Sequence, residues 1–325
     1  MKKWMLAVAC VVTAMLALVG CASDASDAES ESGGSNRELT MTIGTLPTED
    51  SLPFWVAQER SYFDACGVSV TIETFQSAQE LATAFAAGTI DGAMTDVQTA
   101  ASLQTSGTDV VLEWVTLGTD PSQGRFGIMT SPNSGITSLE DLKGVPVGVG
   151  SNTVPEYVMD KLMEDAGFTE DEIVNEEIKK LPIRFESMAN NKVAAAALPA
   201  SLLALGEANG MVLLADDTQG DNISQSVFVV RADFANGGGS GAVVSVEEAW
   251  NQSVSTINSD PESFRDLLVD KCNVNAEIVS TYPICTYPEA SDPTADMVQP
   301  VLDWMLEKGY LSSAMTYDEA TGTMA

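Results

Sequence analysis

The chain has 325 residues with 47 acidic and 15 basic side chains, a formal net charge of −32 and no histidine. The acidic excess argues against nucleic acid as a partner, because its phosphates would be repelled. Without imidazole the chain lacks Ser-His-Asp and Cys-His catalytic groups and histidine-ligated metal sites, so we expect no enzyme activity, no metal site and no cofactor.

The first segment is typical of an export signal. Two lysines precede an apolar run over residues 5–19, and a glycine and Cys21 follow it. Residues 18–21, LVGC, resemble the lipobox of bacterial lipoproteins, whose cysteine becomes the lipidated first residue. We predict a signal peptide over residues 1–20 and a lipid anchor at Cys21, outside a membrane. An uncleaved membrane anchor is the alternative, although the run is short and no basic cluster follows it.

The segment after the signal differs from the rest of the chain. Residues 21–37 are acidic and rich in Ser and Gly, with no apolar face, so they are predicted to form a flexible tether. From about Glu38 onward the chain is long enough for two lobes and has no second long apolar run. We assign residues 38–120 and 228–325 to lobe I and residues 121–227 to lobe II.

Lobe I is predicted to alternate strands and helices. Ser77 has the position of an N-cap before an apolar stripe. Thr95 and Asp96 follow a short strand at its carboxyl end, where they can meet a ligand and cap the next helix. The predicted strands are 39–44, 68–75, 89–94 and 110–117, and the predicted helices begin near Pro53, after Ser77 and near Val97.

Lobe II is predicted to begin after a segment of turn-forming residues that separates two predicted strands. Residues 118–124, GTDPSQG, mark a first crossover between lobes, and a strand at 225–231 returns the chain. Residues 150–153, GSNT, join a strand to a helix and form a polar docking end or simply a tight turn. The pattern of residues 75–96 recurs at 181–199, which implies two lobes of like design or a chance likeness. Further predicted elements are strands 125–129, 145–148, 177–181, 194–198 and 211–214, helices from Ser138, at 155–166, 185–190 and 200–208, a mostly helical remainder, and a loop at 237–241.

Three cysteines remain beyond the tether. A Cys272–Cys285 disulfide would close a small loop in an exported protein. Spacing fixes neither the redox state nor the geometry, so the bridged and free forms both stay open. Cys66 would then remain a free, buried thiol.

Four segments together resemble one known family. They are SLPFWVAQERSYFDACGVSV, AFAAGTIDGAMTD, SLEDLKGVPVGVGSNTVPEYVMDKLMEDAGF and MANNKVAAAALPASLLALGEANG. Over most of residues 39–312 the chain is similar to the solute-binding lipoproteins of ABC importers for nitrate, sulfonates, taurine and thiamine-pyrimidine precursors. The resemblance implies an α/β, two-lobed fold of the periplasmic-binding-protein type II, with two crossover strands as a hinge.

The resemblance also implies that strand-end loops of both lobes hold the ligand. Ala200 departs from the family, which often has an acidic residue after the proline, and this leaves the polarity of lobe II open. The implied ligand contacts are Thr45, Pro47, Pro53, Phe54, Ser77, Thr95 and Asp96 in lobe I and Ser151, Asn152, Thr153 and Pro199 in lobe II.

The function implied is delivery of a small solute to an ABC permease and its ATPase by a monomeric, lipid-anchored extracytoplasmic protein. A lipoprotein that presents ligand to a membrane sensor and an enzyme on the same scaffold are the alternatives. Glu49, Asp50 and Asp96 should border the cleft, and no Lys or Arg lies in those loops. We therefore predict a neutral or amine-bearing solute, such as a pyrimidine-like heterocycle, with Asp96 as its anchor. A small oxyanion such as nitrate or a sulfonate is the alternative, which helix N-termini would favour.

Overall fold

Two five-stranded sheets organise the protein, and a computed structural model describes residues 39–219 and 223–325. The first sheet has the order β2-β1-β3-β10-β4 and the second has the order β7-β6-β8-β5-β9. We call the parts built on these sheets lobe I and lobe II. The strands are β1 Leu39–Thr45, β2 Val68–Thr74, β3 Gly92–Thr95, β4 Val110–Leu117, β5 Phe126–Thr130, β6 Pro146–Val149, β7 Val174–Glu177, β8 Ala195–Pro199, β9 Val212–Asp216 and β10 Ser226–Arg231, followed by a small β11 Tyr317–Asp318 and β12 Thr323–Met324 hairpin.

Both sheets are mixed, and one antiparallel strand in each explains how the chain passes between them. In lobe I, β1 runs parallel to β2 and β3, whereas β10 lies antiparallel between β3 and β4. In lobe II, β6 runs parallel to β7 and β8, whereas β5 lies antiparallel between β8 and β9. The chain therefore leaves lobe I after β4 and returns to it at β10. The predicted α/β class with two crossovers is confirmed, whereas the exact lobe bounds stay a prediction.

Helices cover the faces of the sheets, and their starts follow local capping rules. Ser77 accepts a hydrogen bond from the Glu80 amide at the start of α3, and Ser138 and Asp141 form a capping box before a short 3₁₀ turn. The helices are α1 Leu52–Glu59, α2 Tyr62–Ala65, α3 Ala78–Ala86, α4 Val97–Thr105, α5 Val154–Asp165, α6 Leu181–Ala189, α7 Ala200–Ala208, α8 Ala232–Phe234, α9 Ser240–Ser259, α10 Arg265–Lys271 and α11 Ala295–Glu307.

An aromatic cluster forms the centre of lobe I. The ring of Phe54, in α1, lies 4.8 Å from that of Trp250, in α9, and 5.3 Å from that of Phe228, in β10. Trp114, in β4, stacks on Phe228 at 4.3 Å. Because α9 comes late in the chain, this core joins its first and last parts around one sheet.

Three predicted elements were wrong. Residues 177–181 do not form a strand: β7 ends at Glu177 and α6 begins at Leu181, since Pro182 is compatible with a first helical turn. The strand predicted from residue 89 begins at Gly92, because the preceding residues form the turn that ends α3. Residues 237–241 are not a simple loop. They pass through a wide helical turn, kinked at Gly238 (φ 107°), into the start of α9.

No helix within residues 39–219 and 223–325 is long and apolar enough to cross a membrane. The predicted signal peptide, the tether and the lipidation site Cys21 lie outside the described residues. Of the two forms left open for Cys272 and Cys285, the structure contains the free thiols. Cys66 is also free, but it is half-buried and not buried as predicted.

Candidate functional site

A cleft lies between the two sheets, at the strand ends where loops of both lobes meet. Its cavity volume is about 80 Å³. A single water needs roughly 10–15 Å³ on this measure, so the cleft has room for a small solute. Its wall consists of Leu46, Thr48, Glu49, Asp50, Ser77, Ala78, Met94, Thr95, Asp96, Leu117, Phe126, Thr153, Val154, Pro155, Lys179, Leu181, Arg184, Pro199, Ser224 and Ser226.

The structure brings together only part of the predicted contact set. The predicted residues that line the cleft are Ser77, Thr95, Asp96, Thr153 and Pro199. Ser151 and Asn152 line a neighbouring groove, together with Ser77 and Thr153. The two lobes thus contribute to the site as the family analogy implied, but through fewer of the named residues.

Four predicted contacts lie elsewhere: Thr45, Pro47, Pro53 and Phe54 are not in the cleft wall. Thr45 is fully buried, and its hydroxyl donates to the Leu46 carbonyl at 3.1 Å. Phe54 is also fully buried and belongs to the aromatic core of lobe I, not to a ligand surface. The local sequence around an aromatic residue beside a polar loop is the same whether the ring lines a ligand site or packs in the core. Here α9 packs over α1, and this places the ring of Phe54 in the core.

Asp96 connects the two lobes. One carboxylate oxygen, Oδ1, accepts the Thr99 amide at 2.7 Å and so caps α4 of lobe I. The other, Oδ2, accepts the Val154 amide at 3.2 Å, at the first residue of α5 in lobe II. Thr153, in the N-cap position of α5, makes no side-chain cap of its own. A single carboxylate therefore caps one helix in each lobe, and both of its oxygens have a donor.

Further contacts hold the lobes together around the cleft. The amide group of Asn152 donates to Ser102 Oγ at 2.7 Å, and Lys180 forms an ion pair with Glu80 at 2.8 Å. Lys308, in the C-terminal segment, also pairs with Asp160, in α5, at 3.0 Å. These bonds cross between α3, α4 or the C-terminal segment and lobe II, so the structure shows the cleft closed.

Two neighbouring carboxyls stand in the lobe I wall. Glu49 and Asp50 are 7% and 8% exposed. Burial, followed by the charge of Asp50, raises the pKa of Glu49 to about 8, and burial also raises the pKa of Asp50. Asp50 Oδ2 accepts the Ser226 hydroxyl at 2.6 Å. Within the described chain, Asp50 Oδ1 and Glu49 Oε2 accept no hydrogen bond.

The lobe II wall contains a buried cation that the sequence reasoning missed. Arg184 is 2% exposed, and burial lowers its pKa to about 10, so it stays charged at neutral pH. Its guanidinium donates to the carbonyls of Ile178, Ala197 and Lys179 at 2.9, 3.1 and 3.4 Å. The sequence did contain a signal: the buried face of α6 consists of Leu181, Arg184 and Met188, so the arginine occupies an apolar position of the helical repeat.

In the residues that the structure covers, no group of three or more His, Cys, Asp or Glu side chains is arranged to hold a metal ion. The cleft wall contains two carboxyls on the lobe I side and one guanidinium on the lobe II side.

Comparisons with known proteins agree with this geometry. The sequence profile of the family described as NMT1/THI5-like matches residues 48–263. No protein with a curated description matches the chain in sequence. The alkanesulfonate-binding protein SsuA from Xanthomonas axonopodis pv. citri, bound to MOPS, superposes with a TM-score of 0.73 at 17% identity, over 85% of this chain and 95% of its own.

Two further solved structures show how widely the fold is used. The periplasmic nitrate-binding protein NrtA from Synechocystis PCC 6803 has a TM-score of 0.70 at 15% identity, over 86% of this chain and 83% of its own. A DszB mutant in complex with biphenyl-2-sulfinic acid has a TM-score of 0.60 at 14% identity, over 85% of this chain and 94% of its own. At such identities the likeness concerns the fold alone, and it confirms the predicted periplasmic-binding-protein-like fold.

Proposed function

The chain belongs to the NMT1/THI5-like family, and from this membership and the two-walled cleft we propose that it is an extracytoplasmic solute-binding protein of an ABC importer. The observation that carries the proposal is the cleft itself, in which strand-end loops of two lobes line a cavity with room for a small solute. The chain has no histidine for acid-base work, which favours binding over catalysis.

The proposed mechanism is closure of the two lobes on the solute. A solute in an open cleft would touch one wall, and it would gain the contacts of the second wall only when the lobes close, so its binding energy shifts the equilibrium towards the closed form. We take residues 38–120 and 228–325 as the first moving unit and residues 121–227 as the second. A permease that docks both lobes would distinguish the closed form, and its ATPase would supply the energy for import.

Closure predicts a change of shape and a change of local protection. We expect saturating solute to reduce the radius of gyration and to slow exchange of the Val154 amide, because that amide donates to Asp96 across the cleft. Neutron scattering with contrast-matched detergent and hydrogen exchange on the whole protein would measure both. The panel consists of aminopyrimidines, taurine, alkanesulfonates, nitrate and amino acids. A solute that binds by calorimetry but changes neither quantity would contradict a closing cleft.

We also propose that Cys21 carries the lipid that anchors the protein, on the basis of the LVGC segment after a short apolar run. Mass spectrometry of the membrane fraction should find a chain that begins at an acylated Cys21, and Cys21→Ser should abolish acylation and release the protein from the membrane. Cys66→Ser is the matched control and should leave anchoring unchanged. A Cys21→Ser protein that stays in the membrane fraction to the same extent would argue for an uncleaved anchor.

A small oxyanion such as nitrate or a sulfonate is the second candidate for the solute. It is favoured by Arg184, a buried cation in the cleft wall, and by Lys179 beside it. Against a simple oxyanion stand the two buried carboxyls of the opposite wall, which would repel it when ionised. The balance between these walls decides the class of solute.

A further inference from the structure

Each wall of the cleft contains a buried polar group that lacks a partner among the described residues: a hydrogen-bond donor on the lobe I wall and a paired carboxylate on the lobe II wall. On the lobe I wall, Asp50 is 8% exposed, and its Oδ1 accepts no hydrogen bond from the described residues although Oδ2 accepts the Ser226 hydroxyl. The neighbouring Glu49 Oε2 is in the same condition. A buried acceptor without a donor is costly, so a donor from outside the chain would stabilise this wall.

The lobe II wall has the opposite requirement. Arg184 is cationic and 2% exposed, yet within the described residues no carboxylate lies within 4.0 Å of its guanidinium. Three of its five N–H groups donate to backbone carbonyls, which are neutral acceptors. Two N–H groups and the positive charge remain for a partner, and a planar guanidinium matches an acid group with two oxygens.

Asp96, the predicted anchor for the solute, has no carboxylate oxygen without a donor. Each of its carboxylate oxygens accepts a backbone amide, from Thr99 and from Val154. Because these bonds cap two helices, Asp96 is suited to closing the cleft, and Asp50 is the better acceptor for a solute. The acceptor wall and the cationic wall come from different lobes, so one molecule can satisfy both only when the lobes meet.

We propose that the solute is a small zwitterion that places an amine against Asp50 and an acid group against Arg184. This inference rests on the solute-binding function proposed above and names the class of solute. A simple amine would leave Arg184 without a directly paired counterion, since the charge of Glu177 acts on it from beyond 4.0 Å. A simple oxyanion would leave Asp50 Oδ1 without a donor and add negative charge beside it. Burial raises the pKa values of both Glu49 and Asp50, so the positive charge of an amine would stabilise the ionised form of the carboxyl that it contacts.

Calorimetry on the whole protein in detergent tests the proposal with matched sets of compounds. Glycine, β-alanine and 4-aminobutanoate vary the separation of amine and acid, and each is measured beside the alkylamine and the alkanoate of the same length. A further pair compares 2-aminoethanesulfonate with ethanesulfonate. We expect at least one zwitterion to bind about 30-fold or more tightly than its matched amine and acid, since loss of a buried charged hydrogen bond is of that size.

Two substitutions test the amine end and the acid end of the solute separately. Asp50→Asn removes the charge with little change of shape and should bring the zwitterion down to the affinity of its matched acid. Arg184→Lys keeps a cation but loses the planar guanidinium that can donate to two oxygens at once. It should lower the affinity for the zwitterion towards that of the matched amine. Asp64→Asn, at an exposed position of lobe I, is the matched control and should change nothing. Circular dichroism of each variant checks that it is folded.

The outcomes separate this inference from the function on which it rests. Nitrate, ethanesulfonate or an alkylamine that binds and closes the cleft as tightly as every zwitterion would overturn the inference and leave solute binding intact. A zwitterion whose affinity survives both Asp50→Asn and Arg184→Lys would also overturn it. Failure of every compound, including the aminopyrimidines and oxyanions, to bind would count against the zwitterion and against the proposed function.

Discussion

Replacement of Phe54 by alanine is expected to lower the free energy of unfolding by about 3–5 kcal/mol. The ring is fully buried between Trp250 and Phe228, so its removal leaves a cavity at the centre of lobe I. Denaturant unfolding followed by circular dichroism would measure the loss. Because Phe54 is absent from the cleft wall, we expect the folded variant to bind its solute with nearly unchanged affinity.

A matched control separates a core role from a contact role. Val244 is 54% exposed, and Val244→Ala should change stability by no more than about 0.5 kcal/mol. Phe54→Leu retains much of the apolar volume and should cost less than Phe54→Ala. A Phe54→Ala protein with unchanged stability but weakened solute binding would restore Phe54 to the set of ligand contacts.

Replacement of Lys308 by methionine is expected to destabilise the protein by about 3–5 kcal/mol at pH 8. The Asp160 side chain is 1% exposed, and its Oδ2 accepts Lys308 Nζ at 3.0 Å and the Trp304 indole N–H at 2.9 Å. Without the lysine, a buried carboxylate keeps a single donor. Lys161→Met is the matched control, since the Lys161–Glu164 pair at 2.8 Å is exposed and should contribute about 0–1 kcal/mol.

The effect of Lys308→Met should depend on pH with a defined sign. Burial raises the pKa of Asp160 above its usual value of 3.8, against the opposing influence of Lys308 and Trp304, and loss of the lysine raises it further. Below 3.8 the carboxyl is protonated in both the folded and the unfolded chain, so the deficit should vanish. It should grow as the pH rises above the pKa of Asp160 in the folded unsubstituted protein, and it should be complete above the higher pKa of Asp160 in the folded variant. Urea unfolding at a series of pH values measures this, and an equal deficit at acid and neutral pH would contradict it.

Local rules accounted for much of the fold. The N-cap positions of Ser77 and Asp96 were readable because a cap depends on residues within one helical turn. Alternating and continuous apolar runs placed most strands within a residue or two of their observed ends. The strand predicted at residues 177–181 failed because a short polar-apolar run does not decide between a strand and a proline-started helix.

The site depended on pairings that have no local signal. The Val154 amide and Asp96 are 58 residues apart, and nothing near either residue indicates that they meet. Phe54 lies next to a polar loop, and its burial depends on Trp250, far along the chain. Arg184 was the readable exception, since a charged residue on the apolar face of α6 requires a buried role.

The two hydrogen bonds by which Asp96 caps α4 and α5 also affect the protein without solute. A bond that the chain makes with itself across the cleft favours the closed form whether or not solute is present. A helix cap contributes about 1 kcal/mol, which corresponds to roughly a fivefold change in the ratio of closed to open molecules. A stronger hydrogen bond between the lobes would raise the apparent affinity for the solute. It would also raise the number of solute-free molecules in the closed form, which a transporter would not distinguish from solute-bound ones. The hydrogen bond to the Val154 amide, at 3.2 Å, is longer than that to the Thr99 amide, at 2.7 Å, so we expect the bond between the lobes to be the weaker of the two.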